Sequence, residues 1–209
     1  RLLILSLAGW IAQLMVACYP EGADTVQDYD VAMTNYDKSV DFNTFTTFSI
    51  ADTIVYFSND KGGTLSHEFD DEIVDLVTQN LTERGYTQVD TTEIPSFVVT
   101  ISAFSNVNYA YYVDNWYNNW SWYWGWWGGP FSPYYPWYPV SVYSYRTGSV
   151  VIDMVSTATR TDNKANVVWT GIADGLLQGS TSSILKRLDK QINQCFIQSP
   201  YLSKSTSQE

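Results

Sequence analysis

Histidine and cysteine are almost absent: in 209 residues there is one histidine, His67, and two cysteines, Cys18 and Cys195. That scarcity excludes Cys/His zinc and iron–sulfur spacings and leaves a Ser/His/Asp triad a single candidate base. Positive charge is also short, with 11 Lys and Arg against 22 Asp and Glu and a net charge of -11. A surface of that sign repels phosphate backbones and anionic headgroups, so no nucleic-acid partner is expected. No phosphate-binding glycine loop or nucleophile elbow occurs, and no apolar run reaches the roughly 20 residues of a membrane-spanning helix. What remains, 45% hydrophobic over this length, suffices for one domain with its own core.

Leu2 to Ala17 is apolar apart from Ser6 and Gln13 and ends on small residues just before Cys18. Interrupted by Gly9 and Gln13, it is too short for a span and reads as a signal peptide. Leu14-Met15-Val16-Ala17-Cys18 resembles a bacterial lipobox, which makes Cys18 the lipidated first residue after cleavage. Cys195 then has no disulfide mate, and the lipid rather than charge holds the chain to a membrane. Tyr19 rather than aspartate after the cysteine favours, by resemblance to lipoprotein sorting, the outer membrane of a double-membraned bacterium. Residues 19–40 are polar and acidic and read as a flexible tether. Asp28 and Asp30 within them lack the glycine-turned loop of a calcium hand, and no metal site or cofactor is expected.

The most unusual segment is Tyr109–Tyr145. Eighteen of its 37 residues are Tyr, Trp or Phe, seven of the nine Trp lie in it, and its one charged side chain is Asp114. Glycine and proline interrupt it too often for a regular helix or a central strand. Its indoles, Trp116, Trp120, Trp122, Trp124, Trp126, Trp127 and Trp137, are the candidate binding residues.

Around this segment the pattern predicts a domain over 41–200 and a polar tail over 201–209. Asp41–Ile50, rich in aromatic and β-branched residues, predicts a first strand, followed by a loop. Leu65, Phe69, Ile73, Leu76, Val77 and Leu81 form one helix face, which Gly85 ends. Tyr86–Val89, Ser96–Phe104 and Gly148–Val155 predict strands, with Val167–Ala173 the hairpin partner of the last. Ser180–Ser183 caps a final helix with Ile184, Leu185, Leu188, Ile192 and Phe196 on its apolar face, stopped before Pro200. The expected fold is α+β: a mixed or antiparallel β-sheet with two helices on one face and a long aromatic-rich loop between strands. His67, beside Glu68 and Asp71, reads as a solvated surface residue, and Cys195 as a small buried thiol.

Asp41-Phe42-Asn43-Thr44-Phe45-Thr46-Thr47-Phe48, Arg84-Gly85-Tyr86, Gly148-Ser149-Val150-Val151-Ile152-Asp153 and Val168-Trp169-Thr170-Gly171 follow in this order behind the lipobox. Together they resemble the uncharacterised bacterial lipoprotein family known as domain of unknown function 4136, over roughly Asp41 to Pro200. The resemblance implies an envelope location and this fold but no enzyme activity. Against it, Ser156 and Thr170 stand where an acidic and a larger polar or charged residue are expected.

The reading that follows is a non-enzymatic, lipid-anchored envelope protein whose aromatic loop docks on a protein partner or at the membrane interface, where Tyr and Trp are favoured. Next in rank is an aromatic segment packed on itself without a ligand. Third is a glycan- or peptidoglycan-binding lipoprotein, with rings stacked on sugars and Asp114, Asn115, Asn118 and Asn119 bonding hydroxyls. An enzyme, such as a glycoside hydrolase using two of the 22 acids, has the least support.

Overall fold

A computed structural model describes residues 32–58, 67–90, 92–105, 132–134, 148–161, 164–177 and 179–204. Eight strands and two α-helices make up the regular structure of these residues. The strands are β1 (Ala32–Tyr36), β2 (Thr47–Ile50), β3 (Val55–Ser58), β4 (Thr87–Gln88), β5 (Phe97–Ser105), β6 (Ser132–Tyr134), β7 (Ser149–Thr161) and β8 (Lys164–Ala173). The helices are α1 (Asp70–Glu83) and α2 (Thr181–Ile197).

All eight strands join one mixed sheet in the order β1-β8-β7-β5-β2-β4. Its centre is the antiparallel trio β5, β7 and β8, and each outer member of the trio carries two short strands end to end. Along β5, β2 pairs in parallel with Phe97–Val99 and β3 with Ser102–Ser105. Along β8, β1 pairs antiparallel with Trp169–Ala173 and β6 in parallel with Lys164–Asn166. The expected α+β class holds, and the sheet is mixed.

Alternation along the paired strands sorts side chains onto two faces. Phe48, Phe97, Val99, Ile101, Val150, Ile152, Met154 and Trp169 share the face that packs on the helices. α1 lays Ile73, Leu76, Val77 and Leu81 on it, and α2 adds Ile184, Leu188, Ile192, Cys195 and Phe196. Between the helices, Asn80 Nδ2 donates to Asn193 Oδ1 at 2.6 Å.

Caps set the helix ends. Asp70, Asp71 and Glu72 occupy the first turn of α1, where its dipole favours negative charge. At the other end Gly85 takes φ +89°, its N–H donates to Thr82 O, and Tyr86 N–H donates to Leu81 O. This paired closure satisfies the last carbonyls and needs a residue free of a Cβ in the left-handed region. Ser180 caps α2 through Ser183 N–H.

Several sequence expectations are corrected here. Ala32–Tyr36, placed in the tether, is an edge strand, because Tyr36 stacks on Tyr201 with ring centroids 3.9 Å apart and backbone pairing to β8 fixes the rest. Val55–Ser58, placed in a loop, is a strand that continues the edge β2 begins. Phe42–Thr44, placed in the first strand, is a 3-10 turn, because Asp41 Oδ1 accepts from Asn43 N–H and bends the chain. The tail does not begin at 201, since Leu202 is fully buried and Lys204 N–H donates to Arg84 O. Leu185 is 41% exposed, and Arg187 and Gln191 are buried in its stead.

Trp169 joins sheet, helix and C-terminal segment. Its indole is fully buried, stacks on Phe196 at 5.2 Å and donates from Nε1 to Ser199 Oγ at 2.9 Å. The ring lies over Gly171, two positions along the same face, where an added Cβ would stand 2.5 Å from the indole edge. Gly171→Ala is therefore expected to displace the indole and lower stability by about 1–3 kcal/mol, the usual cost of overpacking a filled core. Urea unfolding followed by Trp fluorescence measures this, and an unchanged midpoint would refute the packing argument.

Candidate functional site

Cys18 and the candidate indoles Trp116, Trp120, Trp122, Trp124, Trp126, Trp127 and Trp137 lie outside the described residues. Of the aromatic segment the structure describes Ser132–Tyr134, which forms β6. How the segment is attached is well defined. β5 and β7 run antiparallel with Phe104 opposite Ser149, and Gly148 N–H donates to Phe104 O at 2.6 Å. Gly148, at φ +84°, also accepts from Leu177 N–H, and a Cβ there would stand 3.0 Å from the Leu177 backbone. Two adjacent strands that a tight turn would join are thus linked by residues 106–147.

The sheet face away from the helices is the second feature of note. Val98, Phe104, Val151 and Val155 are buried on it but stand outside the helix-packed core. Across its middle runs a polar row in cross-strand register: Thr100 on β5, Asp153 on β7 and Thr170 on β8. Thr170 Oγ1 donates to Asp153 Oδ1 at 2.6 Å, and Asp153 is fully buried. Thr100 Oγ1 is buried without a hydrogen-bond partner. Thr170, a departure from the expected family pattern, therefore still serves a carboxyl group, and its short side chain suits a neighbour directly across the pleat. Ser156, the other departure, is buried opposite Phe97.

A smaller cluster joins β3 to the start of α1. Asp70 accepts from the Tyr56 hydroxyl at 2.5 Å and pairs with His67 Nδ1 at 2.8 Å, while the Tyr56 and His67 rings lie 4.1 Å apart. Burial first, and the bond to Asp70 next, push the Tyr56 phenol well above its usual value. The imidazole is 67% exposed and Asp70 14%. His67 is thus a surface residue as expected, but one oriented by Asp70 rather than by Glu68 or Asp71. Nothing in the sequence flags Tyr56, because its contact depends on how β3 lies against α1. Among the described residues no group of three or more His, Cys, Asp or Glu side chains could hold a metal ion.

Cys195 is the buried thiol that helix spacing predicts. Burial pushes it up to about 12, and its Sγ lies 3.7 Å from Ile172 O. Tyr86, in edge contact with Phe97, is likewise pushed up to about 12 by burial, and its hydroxyl has no partner. Neither group is poised to react near neutral pH.

The family model described as Domain of unknown function (DUF4136) matches residues 32–201. The chain belongs to the DUF4136 family. A crystal structure of a DUF4136 family protein from Bacteroides thetaiotaomicron is 31% identical with a TM-score of 0.63, over 84% of this chain and 98% of that one. The PelC dodecamer from Paraburkholderia phytofirmans is 9% identical with a TM-score of 0.42, over 84% of this chain and 99% of that one. A PDZ domain protein from Parabacteroides distasonis is 17% identical with a TM-score of 0.44, over 81% and 35%. The last two are too distant to carry an argument. No curated protein matches the sequence. The match starts at Ala32, the first residue of β1, which agrees with that strand being part of the domain.

The buried Cys195 thiol and Tyr86 phenol give a pH test. In the unfolded chain the thiol and phenol ionise near 9.0 and 10.0, whereas folding holds both neutral to about 12. The unfolded state therefore binds fewer protons in that window, and stability is expected to fall as pH rises from about 9 to 12. Tyr86→Phe should flatten the decline and cost little at pH 7, because it removes a hydroxyl with no partner. Urea midpoints at pH 7, 9 and 10.5 provide the check; equal slopes in both proteins would contradict the assignment.

Proposed function

We propose that this DUF4136 protein is a lipid-anchored component of the bacterial cell envelope, without catalytic activity, that docks on a protein partner or at the membrane interface through its aromatic-rich segment. The observation that carries this reading is the attachment of the segment. Phe104 and Ser149 already stand in register, so closing the β5–β7 hairpin needs only a tight turn. Connections far longer than their geometry requires are commonly functional. This one has a composition suited to apolar contact at an interface, with a single charge, Asp114, in 37 residues. The lipobox at Leu14–Cys18 supplies the anchor, and a membrane held by acyl chains needs no basic patch on a chain of net charge -11.

The sugar-stacking alternative draws on the same rings together with Asn115, Asn118 and Asn119, and one titration separates the two. In residues 22–209, Trp169 is buried against Phe196 and the other Trp all lie in the segment, so changes in emission report on it. A saturable blue shift with lipid vesicles is expected if the segment inserts at the interface. A response to peptidoglycan fragments alone would select the glycan reading. Silence with both, together with no envelope protein cross-linked through the segment in intact cells, would overturn docking. The anchor is tested separately: Cys18→Ser should abolish acyl labelling and membrane retention, and persistent labelling would refute the lipobox.

A further inference from the structure

Arg84 and Lys204 meet at the corner where α1 ends and the C-terminal segment closes, since Lys204 N–H donates to Arg84 O at 3.2 Å. The chain carries 22 Asp and Glu against 11 Lys and Arg, so acidic partners for two cations are abundant. Yet among the described residues no carboxylate pairs with either side chain. Both are half-buried rather than fully extended into water.

The surroundings place both cations. The Arg84 guanidinium carbon lies 5.0 Å from the Phe196 ring centroid, and the Lys204 ammonium 5.6 Å from that of Tyr86. The Lys204 stem runs along Gly85, where an added Cβ would stand 3.4 Å from it. Nη1 of Arg84 donates to Asn80 O at 2.9 Å and to Asn80 Oδ1 at 3.0 Å. Asn80 is itself held, because its Nδ2 donates to Leu76 O and to Asn193 Oδ1. The guanidinium is thus oriented before any ligand arrives, and a planar fork loses little freedom on binding.

A helix cap accounts for only part of this arrangement. Donation from Nη1 answers a carbonyl in the last turn of α1, and a cation there suits the dipole. The other edge of the guanidinium, Nε and Nη2, has no acceptor, and Nε is buried. Burial lowers the Arg84 pKa, an effect that Glu83 and Tyr86 oppose. A buried donor without an acceptor is uncommon in a folded protein, and an oxyanion is the acceptor that also answers the charge. The Nε–Nη2 edge has the spacing to bond two oxygens of one carboxylate or phosphate.

We propose that the corner of Arg84, Gly85 and Lys204 is a binding site for a single oxyanion group, a carboxylate or phosphate on a small ligand. A small turn of the guanidinium brings Nε out beside Nη2 to take two oxygens, and Lys204 supplies a neighbouring positive charge. The site depends neither on the aromatic segment nor on the lipid anchor.

Proton–nitrogen NMR of the full chain at low ionic strength tests it, because salt screens half-exposed charges. Inorganic phosphate and acetate are the two probes, and chloride at matched ionic strength is the control. Saturable shifts of the Arg84 Nε–H and Gly85 N–H with phosphate or acetate, absent with chloride, are expected, and the tighter probe names the ligand class. Lys204→Gln and Arg84→Lys should each weaken that binding about tenfold, the second because an ammonium lacks the fork. An unmoved Trp169 indole N–H resonance verifies that each variant is folded, and Lys204→Gln alone decides if Arg84→Lys is not. Linear shifts, shifts equal to those with chloride, or unchanged affinity in Lys204→Gln would overturn the site and leave an adventitious ion only.

Discussion

Close packing of the Trp169 indole over a residue with no side chain organises the helix side of the molecule. The ring needs Gly171 beneath it, Phe196 against its face and Ser199 at its nitrogen, so one side chain ties β8 to α2 and to the turn that follows. That turn returns Tyr201 onto Tyr36 of β1 and Lys204 onto Arg84 at the end of α1. The edge strand and the helix closure thus depend on a contact made elsewhere. Truncating a filled aromatic site of this kind typically costs about 3–5 kcal/mol, a large share of a domain's net stability.

The second constraint is the double burial of the central strands. β5 and β7 alternate large apolar residues toward the helices with smaller or polar ones toward the other face, where Thr100, Ser102 and Asp153 lie. Such a face is neither a solvent surface nor an ordinary oil-filled layer. The carboxyl of Asp153 is tolerated there with Thr170 donating to it across the pleat.

The motifs by which the chain resembles the DUF4136 family take part in these constraints. Arg84-Gly85-Tyr86 closes α1, Gly148-Ser149 stitches β7 to the turn at Leu177, and Val168-Trp169-Thr170-Gly171 builds the indole site on one face and the Asp153 contact on the other. Family membership and fold class were readable because these short runs carry strong local geometry. The long aromatic segment is the part of the chain that such geometry does not require.

The sequence by itself determined the helices, the central strands and the buried Cys195, since apolar spacing of 3.6 and 2 residues and caps such as Ser180 and Gly85 act within a few residues. It determined the class as well. Only the tertiary structure decided that Ala32–Tyr36 and Val55–Ser58 are strands, because runs this short carry too little pattern to be assigned alone and exist by pairing with β8 and β5. The same holds for Tyr56 with Asp70 and His67, and for Thr100 beside Asp153. Those meetings join residues far apart in the chain, so they depend on register and layer order, which no local pattern encodes.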